Sequence, residues 1–94
     1  MIIYEVVFKE KVKKELKKHP KHVLAKLAGW IQAVNQYGLR EVRKIPGYHD
    51  EPLKGDRKGQ RSIRLSKAYR AIYIIDDSGN TEIVEVIEVN KHDY

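Results

Sequence analysis

The chain has 94 residues, enough for one domain with a thin core and not for two. It contains no cysteine, so neither a disulfide nor a thiolate metal site supports the fold, and a reducing compartment suits it. The formal net charge of +6 is local: residues 54–70 hold seven Lys/Arg against one acid, while the other 77 residues balance at 12 basic and 12 acidic groups. One basic surface therefore sets the sign of the protein and favours a polyanion, nucleic acid above all.

Residues 2–8, IIYEVVF, are β-branched and aromatic and predict a first strand. Glu5 interrupts this apolar run and no basic leader precedes it, unlike a signal peptide. Phe8, Val12 and Leu16 then recur every four residues among lysines, a narrow helical stripe that Pro20 ends. A second helix is expected from about Lys21 to Tyr37, with Val23, Leu24, Leu27, Trp30, Ile31 and Val34 on one side. Gly29 within it costs about 1 kcal/mol relative to Ala, which close approach of another element would explain. Gly38 suits the position just past the helix, where a left-handed backbone is cheap. The two helices flank the short HPKH break and form a helical hairpin.

Residues 39–60 read as loop, punctuated by Pro46, Gly47, Pro52, Gly55 and Gly59. Three strands follow, at about 61–66, 69–76 and 81–89, with DDSGN at 76–80 as the turn between the last two. Glu82, Glu85 and Glu88 recur every three residues, but the β-branched content of TEIVEVIEV decides for strand. The expected fold is α+β, a single domain over residues 1–94: β-α-α-β-β-β, a helical hairpin on one face of a mainly antiparallel four-stranded sheet. The other face is left open for a site. No stretch approaches the roughly 20 apolar residues that span a bilayer, so a cytoplasmic protein without a membrane partner is expected.

If the strands at 61–66 and 69–76 turn around Lys67, facing residues have numbers that sum to about 134, and Arg64 lies opposite Arg70. Two arginines so placed repel by an amount on the order of a few kcal/mol unless a negative group sits near them. A phosphate would reverse that sign and accept paired hydrogen bonds. The competing reading pairs each arginine with an acid of the last strand, Glu82, Glu85 or Glu88. His49, Asp50, Glu51 and Lys54 precede the basic hairpin, and Lys91, His92 and Tyr94 close the chain. A carboxylate, two arginines, an imidazole and a phenol gathered on one phosphate suffice for RNA cleavage: a base removes the 2′-hydroxyl proton, the arginines stabilise the transition state, and an acid protonates the leaving 5′-oxygen. No ligand spacing points to a metal, and no cofactor is implied.

EPLKG at 51–55, RSIRL at 61–65, YRAIYII at 69–75 and the terminal KHDY at 91–94 resemble the RelE/ParE toxin superfamily over essentially the whole chain, most of all its RelE/HigB/YoeB-type mRNA interferases. YoeB-like toxins carry a glutamate just before PLK, an arginine in the YR strand and a terminal histidine and tyrosine; Glu51, Arg70, His92 and Tyr94 match these. Arg64 matches a basic position of RelE-like toxins, as does Arg61. In YoeB-like toxins the terminal His and Tyr are adjacent, whereas Asp93 intervenes here, and HigB-like enzymes use a His/Asp/Tyr set in which His49 or Asp93 would fit. The resemblance implies a toxin that cleaves mRNA in the ribosomal A site, leaves a 2′,3′-cyclic phosphate, and is inhibited by a cognate antitoxin. In that reading Glu51 is the base, His92 the acid, Arg64 and Arg70 hold the phosphate charge, and Tyr94 orients the mRNA. Lys54, Lys58, Arg61 and Lys91 bind the backbones of mRNA and ribosomal RNA. The alternatives are a ParE-like DNA gyrase inhibitor without nuclease activity, and a non-catalytic RNA-binding module.

Overall fold

The computed structural model describes residues 3–79 and 81–91. Strand β1 (Ile3–Phe8) leads into a short helix α1 (Glu10–Glu15), which tightens into a 3-10 turn at Leu16–Lys18 before Pro20. Helix α2 (Lys21–Tyr37) follows, then a four-residue helix α3 (Leu39–Val42). The remaining strands are β2 (Glu51–Pro52), β3 (Arg61–Arg64), β4 (Tyr69–Ser78) and β5 (Thr81–Lys91). They form one sheet in the order β1-β5-β4-β3-β2, with β1 parallel to β5 and every other pair antiparallel. Helix α3 and the fifth strand, β2, both lie in segment 39–60, expected to be loop. Two residues, one of them proline, carry no alternating pattern, and they become a strand only because Glu51 pairs with Ser62 and Pro52 with Arg61. No helix among the described residues is long and apolar enough to cross a membrane.

Helix α2 buries Val23, Leu27, Trp30 and Val34, spaced to fall on one stripe, against Ala71, Tyr73, Val84 and Val86 of the sheet. Its C-cap Gly38 has φ 86° and ψ 152°, a backbone region open essentially to glycine, and a Cβ there would sit 2.8 Å from the Tyr4 ring. Gly29 has no such reason. It is exposed, and a Cβ would meet only the Tyr48 hydroxyl at 3.8 Å, an ordinary contact, so no close approach accounts for it.

The β3–β4 register follows the predicted sum of 134 at every pair: Arg61 faces Tyr73, Ser62 faces Ile72, Ile63 faces Ala71 and Arg64 faces Arg70. Ile63, Leu65, Ala71 and Tyr73 accordingly lie in the core under the helices. Ile75, on the same side of β4 by alternation, sits toward the far end of the strand and is 36% exposed. On β5 the alternation breaks between the residues facing Ile72 and Tyr73: Glu88 pairs with Ile72, Val86 with Tyr73, and Ile87 is the extra residue of a bulge. That bulge resolves the three-residue glutamate spacing. Glu85 faces Ile74 and Glu88 faces Ile72, so both reach the face away from the helices, although no regular strand shows one face every three residues.

That second face is not bare. The 53–60 loop lies across it. Arg57 hydrogen-bonds and ion-pairs with Glu88, and Leu53 and Arg57 line a groove with Arg70, Ile72, Glu88, Asn90 and Lys91. Under this cover Ser62 and Ile72 are buried despite lying away from the helical core.

Candidate active site

The face away from the helices is a grid set by strand pairing. One row runs Arg64, Arg70, Asn90 across β3, β4 and β5; the next runs Glu51, Ser62, Ile72, Glu88 across β2 to β5. Directly opposed residues on antiparallel strands have Cα atoms about 4.5–5.5 Å apart, so the Arg64 and Arg70 side chains rise from neighbouring points. Arg64 is exposed and Arg70 half-buried. An oxygen of Glu51, Oε1, lies 3.7 Å from Nη2 of Arg70. That is a loose ion pair, too long for a hydrogen bond, and it leaves the guanidinium free to take another oxygen.

Glu88, an acid proposed as partner for Arg64 or Arg70, instead takes Arg57. Burial by itself would raise the Glu88 carboxyl, but hydrogen bonds from Asn90 and Arg57, with the nearby Lys11 charge, hold it below the ordinary carboxylate range. Glu88 is thus an acceptor already in use, and the acids of β5 do not neutralise the opposed arginines.

Arg61 does not join them. It was expected to bind RNA beside Lys54 and Lys58, but odd-numbered β3 residues point to the helix side. There its Nε donates to Asp50 Oδ1 at 2.7 Å. Burial works against the Arg61 charge, and the hydrogen bond and charge of Asp50 outweigh it, holding the guanidinium above its ordinary pKa. The other Asp50 oxygen accepts from the Tyr73 hydroxyl, whose ring packs on Trp30 with centroids 5.2 Å apart. Burial first, then the Asp50 carboxylate, push the Tyr73 phenol far above its usual range, so it stays a neutral donor.

Lys54, Lys58 and Lys91 are exposed; Lys91 lines the groove that holds Arg70. His49 is exposed with a left-handed φ of 48° at the bend before Asp50. The expected acid His92, Asp93, and the expected RNA-orienting Tyr94 lie outside the described residues. Strand β5 runs to Lys91, which pairs with Tyr69, the β4 neighbour of Arg70, so the strand ends at the arginine row. The structure brings Glu51, Arg64 and Arg70 onto one face and removes Arg61 to the other. What the residue-by-residue reading missed is Asp50, given no role although it stands beside Glu51. The signal was present: the register that faces Arg64 with Arg70 also faces Arg61 with Tyr73 on the core side, where an arginine needs a buried carboxylate.

No protein-family model and no curated protein matches the sequence. Solved structures do. The chain is similar to the toxin–antitoxin complex RelBE2 from Mycobacterium tuberculosis, with 26% identity over 97% of this chain and 100% of that one and a TM-score of 0.67. It is similar to a YoeB/ParE toxin from Agrobacterium tumefaciens, with 23% identity over 95% and 99% of the chains and a TM-score of 0.68. It also matches an archaeal RelE–RelB complex from Pyrococcus horikoshii, with 18% identity over 96% of each chain and a TM-score of 0.70.

Proposed function

From the RelE/ParE toxin fold that this chain has, we propose that it is the toxin of a type II toxin–antitoxin system and an endoribonuclease acting on mRNA at the ribosome, in the cytoplasm. The observation that carries this reading is the pair of arginines opposed on one sheet face, with no acid of β5 between them and Glu51 at 3.7 Å from Arg70. Such a pair is unfavourable alone and favourable around a phosphate.

In this reading the scissile phosphate sits on Arg64 and Arg70. Glu51 takes the proton of the adjacent 2′-hydroxyl, and the 2′-oxygen attacks phosphorus. The bond to the 5′-oxygen breaks as His92 supplies its proton, leaving a 2′,3′-cyclic phosphate and a 5′-hydroxyl. The two guanidiniums stabilise the extra negative charge of the transition state, where such groups contribute most. No step calls on a metal. Lys54, Lys58 and Lys91 hold flanking phosphates of mRNA or ribosomal RNA, and Tyr94 orients the message. The inhibitory partner is a cognate antitoxin, as several of the similar structures are complexes of toxin with antitoxin. An exposed basic face invites an acidic segment that folds on binding.

The test is cleavage of mRNA on purified ribosomes by the wild-type chain and by Arg70→Ala. Wild type is expected to give discrete fragments with cyclic phosphate ends, and Arg70→Ala to lose roughly 10²–10³-fold in rate. Full activity in the variant would overturn the assignment. Inhibited DNA supercoiling with no RNA fragments would point instead to a ParE-like gyrase inhibitor.

A further inference from the structure

Asp50 and Glu51 are neighbours in sequence, yet their side chains serve opposite sides of the sheet. The Asp50 side chain is 1% exposed and has both oxygens occupied, one by Arg61 of β3 and the other by Tyr73 of β4. Those two residues are themselves paired across the strands. The carboxylate therefore ties the incoming loop to β3 and β4 at once, on the β4 side through a tyrosine whose ring packs on Trp30 in the core. The Glu51 side chain, one residue on, is 46% exposed on the other side and is held by little of its own: a two-residue strand pairing with Ser62 and Arg61, one further backbone bond from Leu53 N to Gln60 O, and the loose contact with Arg70. A strand that short offers few ladder bonds.

We propose that Asp50 is the positioning residue of the site: gripped by Arg61 and Tyr73 on the helix side, it fixes the chain so that Glu51 is held against Arg70 on the opposite side. Arg61, removed from the RNA face, has its work here. The left-handed backbone at His49 is the bend that sends Asp50 inward, and it persists because the buried carboxylate over-determines it. The effect on catalysis rests on the nuclease reading; the effect on Glu51 geometry does not.

The full chain is made as wild type, Asp50→Asn, Glu51→Gln and the double variant. Two readouts are taken: single-turnover cleavage of ribosome-bound mRNA, and the Nε–Hε resonance of Arg70 by nitrogen-15 NMR. Asp50→Asn is expected to slow cleavage by roughly 10²-fold, as small misplacements of a reacting group do. Ribosome affinity is expected to stay within about threefold, and the loss in the Glu51→Gln background to be under about threefold. A role confined to stability would cost the same factor in both backgrounds, and that result overturns the proposal. In the NMR arm, Asp50→Asn is expected to move the Arg70 resonance the way Glu51→Gln does, with no further change in the double variant. An unmoved Arg70 resonance in folded Asp50→Asn overturns it as well. If wild type cuts no ribosome-bound message, the nuclease reading fails and the NMR arm decides the positioning role by itself. If Asp50→Asn does not fold, Tyr73→Phe takes its place, since it removes one grip and keeps the ion pair. It is expected to move the Arg70 resonance in the same direction, and wild-type behaviour there overturns the proposal.

Discussion

The charged side chains of this protein divide by their position along each strand. Arg64 and Arg61 are three apart on β3 and face opposite ways; one is exposed beside Arg70 and the other is tied to a buried carboxylate. The same number arithmetic that faces the two arginines also predicts which arginine goes inside, and that much of the site was legible from the hairpin sequence. The choice of acid was not. Asp50, Glu51, Asp56 and Glu88 are chemically alike, and which of them lies near which guanidinium depends on where the 39–60 loop returns to the sheet. Removing the Asp50 charge leaves Arg61, 22% exposed, without its carboxylate, at a cost of up to about 3–5 kcal/mol, so Asp50→Asn needs a folding control. The Arg57–Glu88 pair is more exposed and contributes about 0.5–1 kcal/mol. Its sign with pH follows from the lowered Glu88 carboxyl: the stabilisation is present above the ordinary carboxylate value of 4.5 and is lost as pH falls through the lower folded value. Glu88→Gln is therefore expected to lower stability to urea at pH 7 by about that amount and to match wild type near pH 3. An equal deficit at both pH values would contradict the ion pair.

At the level of elements, helix α2 was read to its ends because its apolar stripe, Pro20 and Gly38 all agree. Its two glycines differ in consequence. Gly38→Ala forces a side chain into a glycine-only backbone and against Tyr4, and is expected to cost about 1–3 kcal/mol, more if the ring cannot move. Gly29→Ala meets only an ordinary contact and is expected to raise stability by about 0.5–1 kcal/mol, seen as a higher melting temperature. A fall in melting temperature for Gly29→Ala would contradict the ordinary contact with Tyr48 on which the expectation rests. The β-strands show the limits of periodicity. TEIVEVIEV has neither a helical nor a strict strand period, and the bulge at Ile87 is what reconciles Glu85 and Glu88 with one face. The strand β2 has no pattern at all; pairing with β3 makes it a strand.

Over the whole molecule the charge is asymmetric, and the consequence is measurable. Of the basic residues assigned to the site or to RNA, Lys54, Lys58, Arg64, Arg70 and Lys91 reach the surface, while Arg61 is tied to Asp50. If these five meet phosphates of a single strand, the slope of log affinity against log salt is expected near about −3.5, and Lys54→Ala with Lys58→Ala to reduce it by about 1.4. Binding to a 2′-deoxy-substituted RNA, which cannot be cut, gives the slope directly. A slope near zero would remove the basic face from the account.

The sequence alone determined the order of β1, α1, α2, β3, β4 and β5, the α2 boundaries, the β3–β4 register and the opposition of Arg64 to Arg70, because local periodicity, turn residues and a two-residue alternation decide those within a few positions of the chain. Tertiary structure decided the rest: the fifth strand, the cover over the second face, and the division of Asp50 to the core and Glu51 to the site. These depend on where a loop without periodicity lands on strands nine or more residues away. Contacts made only in the folded chain hold it there, Asp50 with Arg61 and Tyr73, Glu51 with Ser62 and Arg57 with Glu88, and no local pattern encodes them.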